Sequence, residues 1–423
     1  MRIFIVLAVL LTMAGYSAGA ESHNNFSGYV RILLEKHPEL KALKYETESK
    51  DKVPSQEYSL PNPQLTLGVM DLPADTFSFS GEDMTRKVIG LTQSFPAPGK
   101  RDLRRKIAEE DAEGSRAMVG EKRLELVEQA RIAFYNLAYL LKSRETTVKN
   151  KNILHDFIEV ALARYSTGQG VQQDVLAAQI EYSRMTENLI GLEKDIAVVS
   201  SNLNVWAGLP SDTKWDNPEI DPLPSVDADA DRLLEKAVET RPMFRQLDAA
   251  LRKSGAMTGL ARKELLPDYS VGVSYGIREN GAMPRSNLVS AEVMIELPIY
   301  RSTRQNQMIS QAALMEDKAR LDIESEKLKM RRDISEMLEM QKRDERLLSL
   351  YDTGLLPQAR QSVAASVSAY RVNKVDFRWL VMNQATLFEY ELMRYRMEYE
   401  LLSTRARLTR MLGRDEFEVN NEN

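Results

Sequence analysis

Two spacings of apolar positions divide the chain. From Lys100 to about Tyr165, Leu124, Val127, Ala130, Ile132, Phe134, Leu137 and Leu141 recur at three- and four-residue steps, which predicts an amphipathic helix. Ser166-Thr167-Gly168-Gln169-Gly170 interrupts it. A second helix is expected from about Val171 to Ala207, stopped by Gly208-Leu209-Pro210. Proline agrees, with none between Pro98 and Pro210, between Pro298 and Pro357, or after Pro357; in a helix interior it costs ~3 kcal/mol. At ~1.5 Å per residue the first helix is on the order of 100 Å long. No single globular core buries such a helix, so the helices must pair along their length.

Elsewhere the period is two. Leu65, Leu67 and Val69 share one face of Gln64–Met70, and Ile89 and Leu91 share one face of Arg86–Phe95. Tyr269, Val271, Val273, Tyr275 and Ile277 alternate with Ser270, Gly272, Ser274 and Gly276; Val289, Ala291, Val293, Ile295 and Leu297 alternate with Ser290, Glu292, Met294 and Glu296. These are four strands in two hairpins. An apolar face opposite a small or charged one is the pattern of a transmembrane barrel with a wet interior. A soluble sheet packed on the helices alternates too. Four strands leave open edges, so either they pack on protein or several chains pool them.

The chain is duplicated. Tyr165 matches Tyr370, Gln179 matches Gln384, Leu203 matches Leu408 and Gly208 matches Gly413, each 205 residues apart. With a slight slip, His37-Pro38 pairs with Arg241-Pro242, Leu60-Pro61 with Leu266-Pro267, and Phe95-Pro96 with Leu297-Pro298. The expected organisation is a first repeat over 21–210, a linker or equatorial segment over 211–240, a second repeat over 241–413 and a tail over 414–423. Residues 1–20 form a signal peptide: Arg2, an apolar run from Ile3 to Met13, then Ser17-Ala18-Gly19-Ala20. That run is short for a membrane anchor, and no later stretch offers ~20 consecutive apolar residues.

Composition narrows the function. Of the 423 residues, 57 are basic and 62 acidic, for a formal charge of −5, which argues against a dedicated nucleic-acid binder. The absence of cysteine removes disulfides, thiol nucleophiles and iron–sulfur or zinc–thiolate sites. His23, His37 and His155 are scattered. Met330, Met337 and Met340, from nineteen methionines, lie at helical spacing and read as packing rather than soft-metal ligands. No nucleophile–base–acid arrangement stands out, so no enzyme, cofactor or resident metal is expected. Gly99-Lys100-Arg101 lacks the flanking Gly and Ser/Thr of a phosphate loop, having Ser94 and Arg101 there.

Three stretches carry a resemblance: Phe95-Pro96-Ala97-Pro98-Gly99-Lys100-Arg101-Asp102-Leu103-Arg104, Tyr165 through Gln179, and Leu203-Asn204-Val205-Trp206-Ala207-Gly208-Leu209-Pro210. In this order within a duplicated frame, the sequence resembles the TolC-like outer-membrane efflux family, most of all its heavy-metal CusC/CzcC-like branch. The resemblance implies a mixed α and β fold. Long helical hairpins would form a periplasmic α-barrel, and four strands per chain would join a trimeric twelve-stranded transmembrane β-barrel. It implies a homotrimer in outer-membrane lipid, a periplasmic adaptor, an inner-membrane pump of the RND type, and passive export of heavy-metal cations. A periplasmic coiled-coil scaffold is the alternative; it accounts for the helices but leaves the hairpins without a purpose.

Two groups of candidate site residues follow. Lys100, Arg101, Arg104 and Arg105, with Arg301 and Arg304 in the second copy, lie at strand-to-helix junctions, facing membrane headgroups, acidic neighbours or solvent. The turns after Tyr165 and Tyr370 are expected at the periplasmic tip, where the family closes its tunnel and meets the adaptor. Gly168 and Gly170 free the first turn. Asp174 would form a ring of three acids in a trimer, or simply favour the helix dipole. Its counterpart is Trp379, with Asp376 and Arg378 nearby as substitutes.

Overall fold

The computed structural model describes residues 25–215, 218, 222–226, 229–281, 283–372 and 374–414. The expected signal peptide, His23 and nearly all of the expected tail lie outside them. In chain order the elements are α1 Phe26–Lys36, α2 Pro38–Lys50, α3 Val53–Tyr58, β1 Gln64–Met70, β2 Arg86–Phe95, α4 Lys100–Ser166 and α5 Gln172–Ala207. Then come α6 Ala230–Thr240, α7 Pro242–Lys263, β3 Asp268–Ile277, β4 Leu288–Glu296, α8 Gln305–Leu350, a π turn Tyr351–Leu355, α9 Leu356–Arg371 and α10 Phe377–Met411. Helix, hairpin, long helix and returning helix therefore occur twice. Gln305 and Arg371 stand 205 positions after Lys100 and Ser166. The segment expected as a linker carries a helix over its last eleven residues, because Asp229 caps α6 through the Asp231 amide and Leu233 and Ala237 are buried.

The two long arms differ at one place. α4 is unbroken over 67 residues. Its counterpart contains Pro357, which has no N–H to donate and whose ring crowds the carbonyl four residues back. The backbone absorbs this as the π turn, where the Leu356 amide reaches Tyr351 O instead. The helical arm continues through the proline at which the proline-free stretch ended.

Contacts divide the chain into two compact units that each draw on both repeats: 1–42, 119–242 and 327–423 in one, 43–118 and 243–326 in the other. The first has an aromatic core. Phe134 meets Phe26 at 5.3 Å, Tyr29 at 5.1 Å and Trp215 at 5.2 Å between ring centroids. Leu33, Leu137 and Leu203 close around them with no exposed surface. The Tyr29 hydroxyl donates to Leu203 O, and Trp215 Nε1 to Asn204 Oδ1, so the buried polar tips are satisfied.

The first unit also holds a buried ionic cluster. Arg241 donates to Glu121 at 2.6 Å, and Arg410 reaches Glu128 at 2.6 Å and Glu121 at 3.3 Å. Burial opposes ionisation of Glu121, yet the hydrogen bonds and charges of Arg241 and Arg410 prevail and its pKa is lowered. The chain leaves α10 at Gly413 with φ +64°, where a Cβ would stand 2.8 Å from the Arg241 backbone. Glycine is required there both for conformation and for space.

The second unit carries the sheet, β1-β2-β3-β4, antiparallel throughout. Leu67 faces Ile89, Ile89 faces Tyr275 and Tyr275 faces Val289; one row over, Leu65, Leu91, Val273 and Ala291 align. This register gathers the apolar positions of all four strands on one face, and that face is exposed, with Leu67 at 68% and Val289 at 74%. The other face is mostly glycine, serine and threonine, with Val88, Glu292, Met294 and Glu296 among them. No described helix is long and apolar enough to cross a membrane. We expect Phe134→Ala to cost about 3–5 kcal/mol, read as a lowered unfolding midpoint in detergent; a midpoint unchanged within error would show that this aromatic core does not hold the unit.

Candidate functional site

The sheet is the first part of the site. β1 bonds only to β2 and β4 only to β3, so each presents an open edge among the described residues. Beside it Phe95 stacks on Tyr269 at 5.4 Å. Aromatic rings at strand ends next to an apolar band are what a membrane–water boundary selects.

At the junction from β2 to α4 the basic residues separate. Lys100 is buried at 2% exposure, paired at 2.9 Å with Glu264 and at 2.9 Å with Asp268. Asp268 also accepts the Ala97 amide at 2.7 Å. Burial penalises the Lys100 charge, but the two carboxylates outweigh it and its pKa is raised. Of the three surroundings open to it from sequence, Lys100 meets acidic neighbours rather than headgroups. It locks the first residue of β3 to the first residue of α4. Arg101 and Arg105 both lie over one ring, Tyr58, at 4.6 and 4.7 Å, and Arg101 Nε donates to Tyr58 O. Arg104 is half-buried, while Arg301 and Arg304 are exposed.

The second part is the pair of turns joining the helices, both in the first unit. Gly168 has φ +71°, and the Gln169 and Gly170 amides donate to Arg164 O at 2.9 and 3.1 Å, closing the end of α4. In the second turn the Lys374 amide donates to Ala369 O. Arg164 connects the two turns. Its guanidinium lies 4.4 Å over the Tyr370 ring, Nη1 donates to Tyr370 O at 3.0 Å, and Nη2 reaches Gln169 O at 3.5 Å. Beneath, Phe377, Leu380, Val175, Ala178 and Ala161 form a small core with Tyr370.

The expected tip residues fare unequally. Tyr370 is buried and Tyr165 is 46% exposed, although they are counterparts. Asp174 lies in the first turn of α5 and Asp376 precedes α10, and the two carboxylates feel each other's charge; Arg378 is exposed. Partial burial raises the Asp174 pKa, the Asp376 charge raises it further, and Arg164 works against both. Sequence reading overlooked Arg164. Its one signal was Ala369 at the matching position of the other copy. It overlooked, too, a buried polar link farther along the helices, where Gln384 donates to Asn150 and Asn150 to Met185 Sδ.

A sheet whose lipid-like face and edges are both open, joined covalently to long paired helices, defines an outer-membrane channel subunit. The chain belongs to the outer membrane efflux protein family, whose sequence profile matches residues 30–208 and 233–414. It is 22% identical over 379 residues, 89% of its length and 86% of the relative's, to the cobalt-zinc-cadmium resistance protein CzcC of Cupriavidus metallidurans. Among solved structures it is similar to CusC, with TM-score 0.80, 14% identity, and 93% and 92% of the two chains covered. VceC of Vibrio cholerae superposes with TM-score 0.78, 15% identity, and 92% and 96% covered. The fold is that of these proteins, and the sequence likeness to CzcC supports the resemblance to the heavy-metal branch.

Because the folded Asp174 pKa lies above its unfolded value, its favourable contribution is present in acid and is lost as pH rises through the folded value. Asp174→Asn should therefore stabilise the turns at neutral pH and flatten the stability–pH curve just above the ordinary carboxylate range. Thermal unfolding between pH 4 and 7 checks this; parallel curves for the two proteins would contradict it.

Proposed function

We propose that three copies pool β1–β4 into one twelve-stranded barrel in the outer membrane, and that their long helices continue the pore as a tube through the periplasm. The observation that carries this is the sheet. Its apolar face is exposed and its two edges are unpaired, and in hydrocarbon only a closed ring satisfies such edges. A scaffold built of coiled coils has no use for that face.

The channel is the passive outer component of a tripartite efflux system. It receives cargo from an RND-type inner-membrane pump through a periplasmic adaptor, and it reaches its place after removal of residues 1–20. Heavy-metal cations are the cargo favoured by the likeness to the cobalt-zinc-cadmium resistance protein. The turn residues Tyr165, Gly168, Gly170, Asp174, Tyr370, Asp376 and Arg378 close the periplasmic end and meet the adaptor. Asp174 and Asp376 of three chains collect negative charge at one constriction, which repels anions and concentrates cations. Arg101, Arg104, Arg105, Arg301 and Arg304 border the headgroup layer.

Planar bilayers and a deletion strain test this. The purified protein should give small closed-state currents, and replacing Asp174, Asp376 and Arg378 together by Ala should raise the conductance. A strain lacking the gene should become sensitive to cobalt, zinc, cadmium or copper salts while keeping its tolerance of detergents. Unchanged closure refutes the gate; loss of tolerance to detergents alone refutes the metal cargo.

A further inference from the structure

In the second unit four helices follow one another in the order α2, α4, α7, α8. α2 meets α4 where Thr47 Oγ1 and Ser115 Oγ share a hydrogen bond at 2.8 Å and Lys50 reaches Asp111 at 3.4 Å. α4 meets α7 through Lys253 with Asp111, Arg252 with Glu110 at 2.8 Å, and a close approach in which a Cβ on Gly114 would stand 3.9 Å from that of Ala249. α7 meets α8 at Gly255, where a Cβ would stand 3.9 Å from Glu316. Gly255 and Glu316 are the counterparts of Asp51 and Asp111, 204 and 205 positions on, so α7 leans on α8 as α2 leans on α4.

The seam between α4 and α7 has a counterpart too. The same shifts carry Glu110, Asp111 and Gly114 to Met315, Glu316 and Ala319 on α8, and Ala249, Arg252 and Lys253 to Tyr45, Glu48 and Ser49 on α2. Exposure shows which copy of this seam is filled. Ala249 is fully buried and the Glu110 side chain is 14% exposed, whereas Tyr45 is 69% and Met315 51% exposed. Glu48 and Ser49 are exposed as well. The sheet points to the occupant. α2 leads through α3 into β1, and β4 leads into α8, so the helices with bare faces adjoin the strands with open edges. A second copy that pairs its β1 with β4 brings its α2 beside α8.

We propose that Tyr45 of one chain seats on Met315 and Ala319 of the next, so that α8 and α2 of neighbouring chains pack as α4 and α7 do within one, with aromatic and thioether contacts in place of ion pairs. This rests on the trimeric channel proposed above. The exchange of residues is chemically coherent. Arg252 with Glu110 becomes Glu48 with Met315, and Lys253 with Asp111 becomes Ser49 with Glu316, so neither charge pair survives. The close approach of Ala249 to Gly114 becomes Tyr45 with Ala319, which sets the helices farther apart and fills the gap with a ring against a thioether. In this part of the wall a chain is held to itself by charge and to its neighbours by apolar packing, and salt screens only the first kind of seam.

The chain has no cysteine, so pairs can be introduced on a clean background. Glu48→Cys with Met315→Cys spans the seam between chains and leaves Tyr45 in place; Arg252→Cys with Glu110→Cys spans its counterpart within one. After treatment with a short bis-maleimide, denaturing gels should show the first as covalent dimers and trimers and the second as monomers. Glu48→Cys with Leu321→Cys, which puts the second thiol at an exposed position on another face of α8, should stay monomeric. Monomers alone from the first pair, or equal bridging at Leu321, overturn the inference.

Tyr45→Ala is the second variant. It truncates a side chain already exposed in the single chain, so each chain should fold as before, while the fraction remaining trimeric after dilution in mild detergent should fall at least about tenfold. Tyr45→Phe should keep the trimer, and so should about 1 M salt added to the unaltered protein. A Tyr45→Ala trimer as persistent as the unaltered one, or an unaltered trimer that salt disperses, overturns the proposal. Unaltered protein that light scattering finds as single chains instead removes the trimeric channel itself, and this inference with it.

Discussion

β1 and β4 each turn a row of amide N–H and C=O groups away from any partner strand. In hydrocarbon a backbone group left unpaired costs several kcal/mol. In water an exposed apolar face beside those edges invites aggregation. In the proposed channel the face lies against lipid and the edges close against further copies of the chain. Everything else is arranged to hold four strands ready for that. Lys100, sunk between Glu264 and Asp268, ties the start of β3 to the start of α4, so the two hairpins keep a fixed register with each other.

Duplication extends the same logic to the helices. α1 and α6 are both eleven residues long, and each is followed by a capping residue, His37 or Arg241, that precedes a proline opening the next helix. Counterpart positions have nevertheless diverged. Arg241 is anchored in a buried ionic cluster with Glu121, whereas burial lowers the His37 pKa, with the nearby Glu39 and Lys122 charges opposing each other. Tyr370 is covered by an arginine and Tyr165 is not. One half meets its partner inside the chain, and the counterpart tyrosine of the other half is exposed.

Much of the fold was legible in the sequence because two periodicities and a few prolines carry it. β1 and β2 begin and end where alternation does, and β3 and β4 each begin one residue early. α4 ends one residue past Tyr165 because Gly168 supplies the left-handed turn. What escaped depends on contacts between residues far apart in the chain. Lys100 belonged by composition to a basic cluster; its partners lie more than 160 positions away. Arg164 is one more charge at a helix end until the second copy brings Tyr370 beneath it. Pro357 marked a boundary, but nothing local states that the helix passes it through a π turn.

All of this requires that one molecule is not a complete channel. The mass of the detergent-solubilised protein, obtained by light scattering with the detergent contribution subtracted, decides the matter directly. Three chains per particle is the result the account predicts. A particle holding a single chain, stable and dispersed without detergent, would contradict it.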